Sequence, residues 1–340
     1  MKKLVIGYDG SEQGEDAIEF GRALCDVIGA EPVLASVVPS LHPAVESLGP
    51  KDAIESRRQE LLEASARRLP GREVDIKVSI QGSVGHGLTS VAESTDAVCL
   101  VIGSCHRGAV GRVALGSVGN SLIHGSPCAV AVAPRGFAVR KGAILNVGVA
   151  FDGTPEAWAA LETGIGMAAR AHARLAVFTV WDLSAHASAT AFNTLAAGEL
   201  TNADRDEKRR VLDLALTRVP EGLPVQGHLL SGVPGDVLAM ASDDVDLIII
   251  GSKSYGPIRR AFAGSVASHV LHHAHSAVMV LPRGKGIDPL GAIRPREVVE
   301  SEECLEPGDP PADHEHLCRG ALGRAAHRVP SATSLGRTAP

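Results

Sequence analysis

The sequence predicts an α/β protein of two tandem domains, each an open parallel sheet with helices on both faces. Two observations support this prediction. The first is an internal repeat, in which VIGYDGS near residue 5 returns as VGVAFDGT near residue 147, and VIGS at 101 returns as IIGS at 249. The second is the alternation of apolar, strand-like runs with helical segments in both copies, which indicates right-handed strand–helix–strand units.

The repeat sets the predicted domain boundaries. Gly103 and Gly251 are 148 residues apart, as are Gly116 and Gly264, whereas Asp9 and Asp152 are 143 residues apart. A net insertion of five residues therefore lies in the middle of the second copy. We expect domains at 1–138 and 142–284. Residues 285–340 contain no Phe, Trp or Tyr, which predicts a disordered tail.

The strands differ in their hydrophobic patterns. Residues 74–80 alternate apolar and polar side chains, which is typical of a strand near a sheet edge. Residues 97–102 and 247–250 are unbroken apolar runs, which indicate central parallel strands covered on both faces. The last strands, 128–133 and 277–281, are also apolar, and we expect the two halves to pack together through them.

Helix starts are marked by capping residues. Ser11 follows the first strand as a candidate N-cap, and the second copy has Thr154, Pro155 and Glu156 at the corresponding place. In the next predicted helix of the first copy, one face carries four apolar side chains, which we expect to be buried together: Ile54, Leu61, Leu62 and Leu69.

Composition excludes several classes of protein. Lys and Arg number 33 against 39 Asp and Glu, so no basic excess supports nucleic-acid binding. No apolar run reaches about 18 residues, so we expect no membrane span. The six cysteines are scattered without a CxxC pair, which favours free thiols and a cytoplasmic location.

A glycine-containing loop is the most specific chemical signal. Gly103 ends a buried strand, and Gly116-Ser117-Val118 opens the following helix; Gly251 and Gly264-Ser265-Val266 repeat the arrangement. Such a loop offers free N–H groups and the positive end of a helix dipole to an anion. The alternative is a plain connection whose glycines only serve turns, but the same spacing in both copies favours an anion site.

At these residues the chain resembles tandem universal stress proteins, over nearly all of residues 1–284. The family motif G-x2-G-x9-G-[ST] corresponds here to Gly103-x2-His106-x9-Gly116-Ser117 and to Gly251-x2-Ser254-x9-Gly264-Ser265. The resemblance implies two Rossmann-like domains, each with a five-stranded parallel sheet ordered 3-2-1-4-5. It also implies ATP as cofactor, with Mg²⁺ as a candidate companion, lying across the strand ends.

The resemblance also implies the ligand contacts. Asp9 and Asp152 would face the adenosine, although capping of the next helix explains these carboxylates equally well. The other expected contacts are Val38, Gly103, His106, Arg107, Gly116, Ser117, Val118, Gly251, Ser254, Gly264, Ser265 and Val266. His106 and Ser254 depart from the motif's second glycine, and Arg107 is a candidate to compensate by meeting phosphate directly.

The functional prediction is a stress protein that binds adenine nucleotide as a regulatory ligand. Motifs of P-loop, dinucleotide-binding and esterase sites are absent, and we expect no catalytic residue and no resident metal site. Two alternatives stay open: an interaction module that binds no nucleotide, and an enzyme that slowly hydrolyses ATP or adenylates a substrate. Expected partners are the nucleotide, an unidentified protein and, as a candidate, a second copy of the chain.

Overall fold

A computed structural model describes residues 1–105, 111–140, 142–182, 194–252, 264–284 and 286–289. Within these residues, ten strands form one sheet in the order β3-β2-β1-β4-β5-β10-β9-β6-β7-β8. The strands are β1 (Lys2–Gly7), β2 (Ala30–Pro39), β3 (Asp75–Gln81), β4 (Ala97–Gly103), β5 (Ala129–Ala133), β6 (Asn146–Ala150), β7 (Arg174–Trp181), β8 (Val225–Ser231), β9 (Leu247–Gly251) and β10 (Ala277–Leu281).

Helices cover both faces of the sheet. They are α1 (Glu12–Ile28), α2 (Pro43–Leu48), α3 (Pro50–Arg68), α4 (Val84–Ser94), α5 (Ser117–Gly125), α6 (Phe137–Arg140), α7 (Pro155–Ala171), α8 (Thr194–Thr217), α9 (Pro234–Ala241) and α10 (Ser265–His273), with a 3₁₀ turn at Ser242–Asp244. One apolar core lies under α1, α3, α7 and α8, and a second lies under α4, α5, α9 and α10. The predicted fold class is confirmed.

Each half has the strand order 3-2-1-4-5 with parallel neighbours. Strand β3 lies at the sheet edge, as its polar–apolar alternation predicted. Strand β4 is largely buried. The N-caps are also confirmed, because the side chains of Ser11 and Thr154 accept from Gly14 N and Ala157 N. One expectation is wrong: Leu62 is 44% exposed, because α3 turns this side chain away from the core that buries Leu61.

The two halves join through their last strands. β5 and β10 pair antiparallel, with Val278 opposite Val132, Met279 opposite Ala131 and Val280 opposite Val130. Both strands are buried along their whole length. Two apolar edges that would otherwise invite aggregation are thereby covered, as the sequence predicted.

The chain turns back onto a helix after each last strand. After β5, the buried carboxylate of Asp16 on α1 accepts from Gly136 N and Ala138 N, both at 2.8 Å. After β10, Ile287 N donates to Thr163 Oγ1 on α7 at 3.0 Å, and Ile287 is buried. The predicted tail boundary at 285 stays a prediction, since 285 and 290–340 lie outside the described residues.

Replacing Asp16 tests this anchor. In Asp16→Ala, the buried N–H of Ala138 and the partly buried N–H of Gly136 lose their acceptor, each at a cost of about 1–3 kcal/mol. We expect the free energy of unfolding, measured by urea denaturation, to fall by about 2–4 kcal/mol. The control Glu55→Ala changes an exposed residue of α3 and is expected to stay within about 0.5 kcal/mol of wild type. Equal stability of both variants would show that Asp16 does not anchor the segment after β5.

Candidate functional sites

The first half contains a cavity of about 440 Å³ beyond the carboxyl ends of its strands. It opens between β1 and β4, where the strand order reverses, which is the usual ligand position in open α/β sheets. We call it the first cavity. Its lining includes the predicted residues Asp9, Val38, Gly103, Gly116, Ser117 and Val118.

A second cavity, of about 420 Å³, occupies the same place in the other half. Of the predicted residues, its lining includes Asp152, Gly251, Gly264, Ser265 and Val266. Both volumes fall within the range of pockets that hold small molecules, about 300–1,000 Å³. His106, Arg107 and Ser254 lie outside the described residues. The structure thus brings the other eleven predicted residues together in two matching groups.

The aspartates at the strand ends hold the residues that cap the next helix. Asp9 Oδ1 accepts from Ser11 N at 3.0 Å and from Ser11 Oγ at 2.5 Å. Asp152 Oδ1 does the same with Thr154 N at 3.1 Å and Thr154 Oγ1 at 2.6 Å. Each aspartate therefore stabilises the turn and orients the cap, but it is not the cap itself. A role in ligand contact is compatible with this geometry, because each turn lines its cavity.

Gly103 and Gly251 are required by packing. A Cβ on Gly103 would lie 2.0 Å from the carbonyl oxygen of Gln13, and one on Gly251 would lie 2.5 Å from that of Glu156. These carbonyls belong to the first turns of α1 and α7, which pass directly over the strand ends. Each glycine thus admits the helix that forms one wall of its cavity, whatever the cavity contains.

The helices that open onto the two cavities start without a side-chain cap. Gly116 and Gly264 are the N-caps of α5 and α10, and neither has a side chain to accept from the first turn. By contrast, Ser11 and Ser83 cap α1 and α4 with their hydroxyl groups. The first N–H groups of α5 and α10 therefore face cavity space with the positive end of the helix dipole.

Basic side chains in the cavities escaped the sequence analysis. Arg57 on α3 lines the first cavity and donates from Nη1 to Asp9 O at 3.2 Å and to Glu60 Oε2 at 2.6 Å. Lys208 on α8 lines the second cavity, together with Asp182 and Asp204. No signal in the sequence distinguishes these charges from the ordinary solvated face of a helix.

The second-strand position differs between the two cavities. Val38 lines the first cavity near the end of β2. Trp181 occupies the equivalent position at the end of β7, judged by the pairing of each strand with its neighbour. The Trp181 ring has the Arg205 guanidinium 5.9 Å from its centroid, and its indole N–H is buried with no hydrogen-bond partner among the described residues. Trp181 is not part of the second lining, to which β7 contributes Phe178 and Val180. The two cavities therefore share their glycines and helix ends but differ at the second strand.

The histidines of α10 make local contacts within the second half. His269 Nε2 lies 2.8 Å from Asp236 Oδ1 on α9, and the His273 ring stacks on His269 with 4.2 Å between centroids. The ring nitrogen Nδ1 of His272 lies 2.7 Å from Ser268 O. These contacts fasten α10 to α9 and cap its last turn.

The fold and its cavities define a duplicated, doubly wound α/β protein with a cavity at the switch point of each half. The profile of the universal stress protein family matches residues 1–134 and 144–282, and the chain belongs to this family. This confirms the resemblance seen in the sequence. Among the described residues, no helix is long and apolar enough to cross a membrane.

Several relatives span the whole duplicated unit. Universal stress protein Rv2319c of Mycobacterium tuberculosis is 25% identical over 82% of this chain and 99% of its own length. Universal stress protein Rv2005c of the same organism is 27% identical over 82% of this chain and 96% of its own length. A universal stress protein structure from Archaeoglobus fulgidus covers 83% of this chain and 98% of its own, with a TM-score of 0.61 and 18% identity. That structure supports the fold.

Substituting the strand-end glycines tests the packing argument. In Gly103→Ala the new Cβ meets backbone that cannot move without shifting α1, so we expect a loss of at least about 2 kcal/mol in the free energy of unfolding. Gly251→Ala has the same effect with a smaller loss, because its contact is less close. Gly125→Ala is the control, since nothing lies within 4 Å of its new Cβ. Denaturation curves of Gly103→Ala and Gly125→Ala that coincide would contradict this account.

Proposed function

We propose that this protein binds adenine nucleotide, ATP included, in both cavities and that the nucleotide acts as a regulatory ligand. The observation that carries the proposal is the repeated placement of an uncapped helix N-terminus, at Gly116 and at Gly264, in the wall of a cavity. Backbone N–H groups and the helix dipole at such a place favour a phosphate. Membership of the family and the matching motif support adenine as the base.

The proposed roles follow the lining of each cavity. The N–H groups of Ser117 and Val118, or of Ser265 and Val266, would hold phosphate oxygens, and the serine hydroxyls would donate to the same oxygens. Asp9 would accept from hydroxyl groups of the nucleoside with the carboxylate oxygen that the Ser11 turn does not use, and Asp152 would lie at the equivalent place in the second cavity. Any accompanying Mg²⁺ would be held mainly by the phosphates and water.

A regulatory role fits the residues around the cavities better than a catalytic role does. Hydrolysis or adenylation needs a positioned base or nucleophile. The polar residues that the two described linings share are the aspartates, the caps Ser11 and Thr154, the helix-start serines and one basic side chain each, Arg57 and Lys208. The turns already engage the aspartates, and a basic side chain is not the base that these reactions need. A bound nucleotide would instead stabilise one arrangement of the surrounding loops, which a protein partner then recognises.

Assembly and location form part of the same proposal. The internal pairing of β5 with β10 uses the edge of each half, so a homodimer would form through another surface. We propose a cytoplasmic location, which the thiols of Cys25, Cys99 and Cys105 support, since none of them forms a disulfide within the described part of the chain.

A charge at the helix start tests the phosphate site. We expect wild type to bind two ATP molecules by isothermal titration calorimetry. Ser117→Glu and Ser265→Glu each weaken one site at least tenfold, because like charges about 4 Å apart repel by about 1–4 kcal/mol. Asn120→Glu and Ser268→Glu are matched controls, since they add the same charge one turn further along α5 and α10, outside the cavity linings.

The outcomes separate the proposed functions. ATP, ADP or AMP present at 100 times its Kd should stabilise the fold by about 2.7 kcal/mol for each occupied site in a thermal denaturation experiment. No stabilisation by any of the three would reject nucleotide binding and favour an interaction module. Equal weakening by the site variants and their controls would place the phosphate elsewhere.

The aspartates are tested separately. Asp9→Asn keeps an oxygen for the Ser11 turn but removes the charge, so we expect stability within about 0.5 kcal/mol of wild type. Binding at the first cavity should weaken about fivefold, because hydrogen bonds to charged groups exceed neutral ones by about 1 kcal/mol. Asp152→Asn should act alike at the second cavity. Full affinity in both variants, measured by the same titration, would assign the aspartates to the turns alone.

A further inference from the structure

We propose that the two cavities are energetically coupled through helix α10, so that a nucleotide in one raises the affinity of the other. This inference rests on the proposed nucleotide binding and adds a regulatory connection between the sites. It is carried by a continuous series of hydrogen bonds that starts in the lining of the first cavity and ends at the helix start in the second.

The series begins at the end of β4. Ser104 lines the first cavity, is 1% exposed, and its hydroxyl accepts from Ala114 N at 2.7 Å and donates to Ala114 O at 3.1 Å. Cys105, which also lines the cavity, donates from its backbone N to Ala114 O at 2.8 Å. The position of Ala114 is thus tied to two residues that line the first cavity.

The next hydrogen bond crosses between the halves. Val113 N donates to Ala274 O at 2.9 Å, and both residues are buried, at 1% and 0% exposure. The loop is also held on its other side, because Gly111 N donates to Arg135 O at 2.8 Å and Arg135 N donates to Arg112 O at 3.2 Å. Val113 therefore has little freedom to move independently of Ala274.

Helix α10 carries the connection to the second cavity. Ala274 is its C-cap, with a bond from its N to Val270 O at 2.8 Å, and Gly264 is its N-cap in the lining of the second cavity. The helix has nine residues and so spans about 13 Å as a rigid unit. Val270 and Leu271 are fully buried, so the helix cannot shift without repacking the core.

The antiparallel joint explains why α10 reaches both cavities. Parallel strands of one half end where those of the other begin, so the amino end of β10 lies at the carboxyl end of β5. A helix that begins in the second cavity and leads into β10 must therefore end beside the first. Residue 261, which corresponds to Val113 in the second half, lies outside the described residues.

The expected coupling is positive. A nucleotide held by Ser104, Cys105 and the start of α5 would restrict the segment around Val113 and, through its hydrogen bond to Ala274, the position of the end of α10. Because α10 is a rigid unit, restricting its end also restricts its start at Gly264, so the second nucleotide loses less conformational freedom when it binds there. Because coupling is reciprocal, occupation of the second cavity strengthens the first by the same factor.

A thermodynamic cycle measures the coupling factor. Ser265→Glu gives the intrinsic ATP affinity of the first cavity, and Ser117→Glu gives that of the second. The overall two-site association constant of wild type, divided by the product of these two, is the coupling factor, which we expect to be about fivefold or larger. Val113→Pro removes the donated N–H and should reduce the factor, obtained from the same site variants in its background, to about one.

Two further variants control for packing. Val113→Ala keeps the N–H and should retain most of the coupling. If the proline variant does not fold, Ser104→Ala replaces it, since it removes the two hydrogen bonds of the hydroxyl to Ala114 and should lower the factor. Val33→Ala removes the same volume from the same core, at a register where β7 already has Ala176, and should leave the factor unchanged.

Each result has a separate meaning. A factor of one in wild type, with both sites binding, overturns the coupling and leaves nucleotide binding intact. An unchanged factor in Val113→Pro overturns the route through Ala274. Absence of ATP binding at both sites overturns the proposed function and this inference with it.

Discussion

The antiparallel pairing of β5 with β10 is the interaction on which the rest of the structure depends. It turns two five-stranded sheets into one sheet with polar outer edges, β3 and β8, and a fully buried middle. It also fixes the direction of each half, so the two cavities face opposite ends of the sheet. The hydrogen bond from Val113 N to Ala274 O follows from that direction, because it brings the start of β10 to the carboxyl end of β5.

Each half repeats one arrangement in which a helix start, a glycine and a turn form a cavity wall together. The helix after the first strand approaches the end of the fourth strand so closely that only glycine fits, at Gly103 and at Gly251. The aspartate turn holds the cap of that same helix. Packing alone would maintain these residues, so their repetition does not demonstrate a ligand. The helix starts at Gly116 and Gly264 are different, because their first N–H groups have no side-chain cap and lie in the wall of a cavity.

Much of the fold could be predicted because its signals are local or periodic. The equal spacing of Gly103 and Gly251 from their helix starts indicated the duplication, and the alternation in β3 indicated an edge strand. The prediction for Leu62 was wrong because helical periodicity gives a face only to within one neighbouring position, and tertiary packing selected Leu61. The hydrogen bond from Val113 to Ala274 had no signal, because backbone groups far apart in sequence carry no residue preference.

A duplicated chain differs from a homodimer in that its two copies can acquire different residues at equivalent places. Asp16 anchors the segment after β5, whereas α7 anchors the segment after β10 through the hydroxyl of Thr163, one helical turn further on. The contact of His269 Nε2 with Asp236 Oδ1 joins α10 to α9, while the equivalent Ser121 packs closely beside Gly85 on α4. The equivalent helices α10 and α5 are therefore attached to their neighbours by different side chains. Because coupling free energy is reciprocal but intrinsic affinities are not, the two cavities can bind one nucleotide with unequal strength and still influence each other equally.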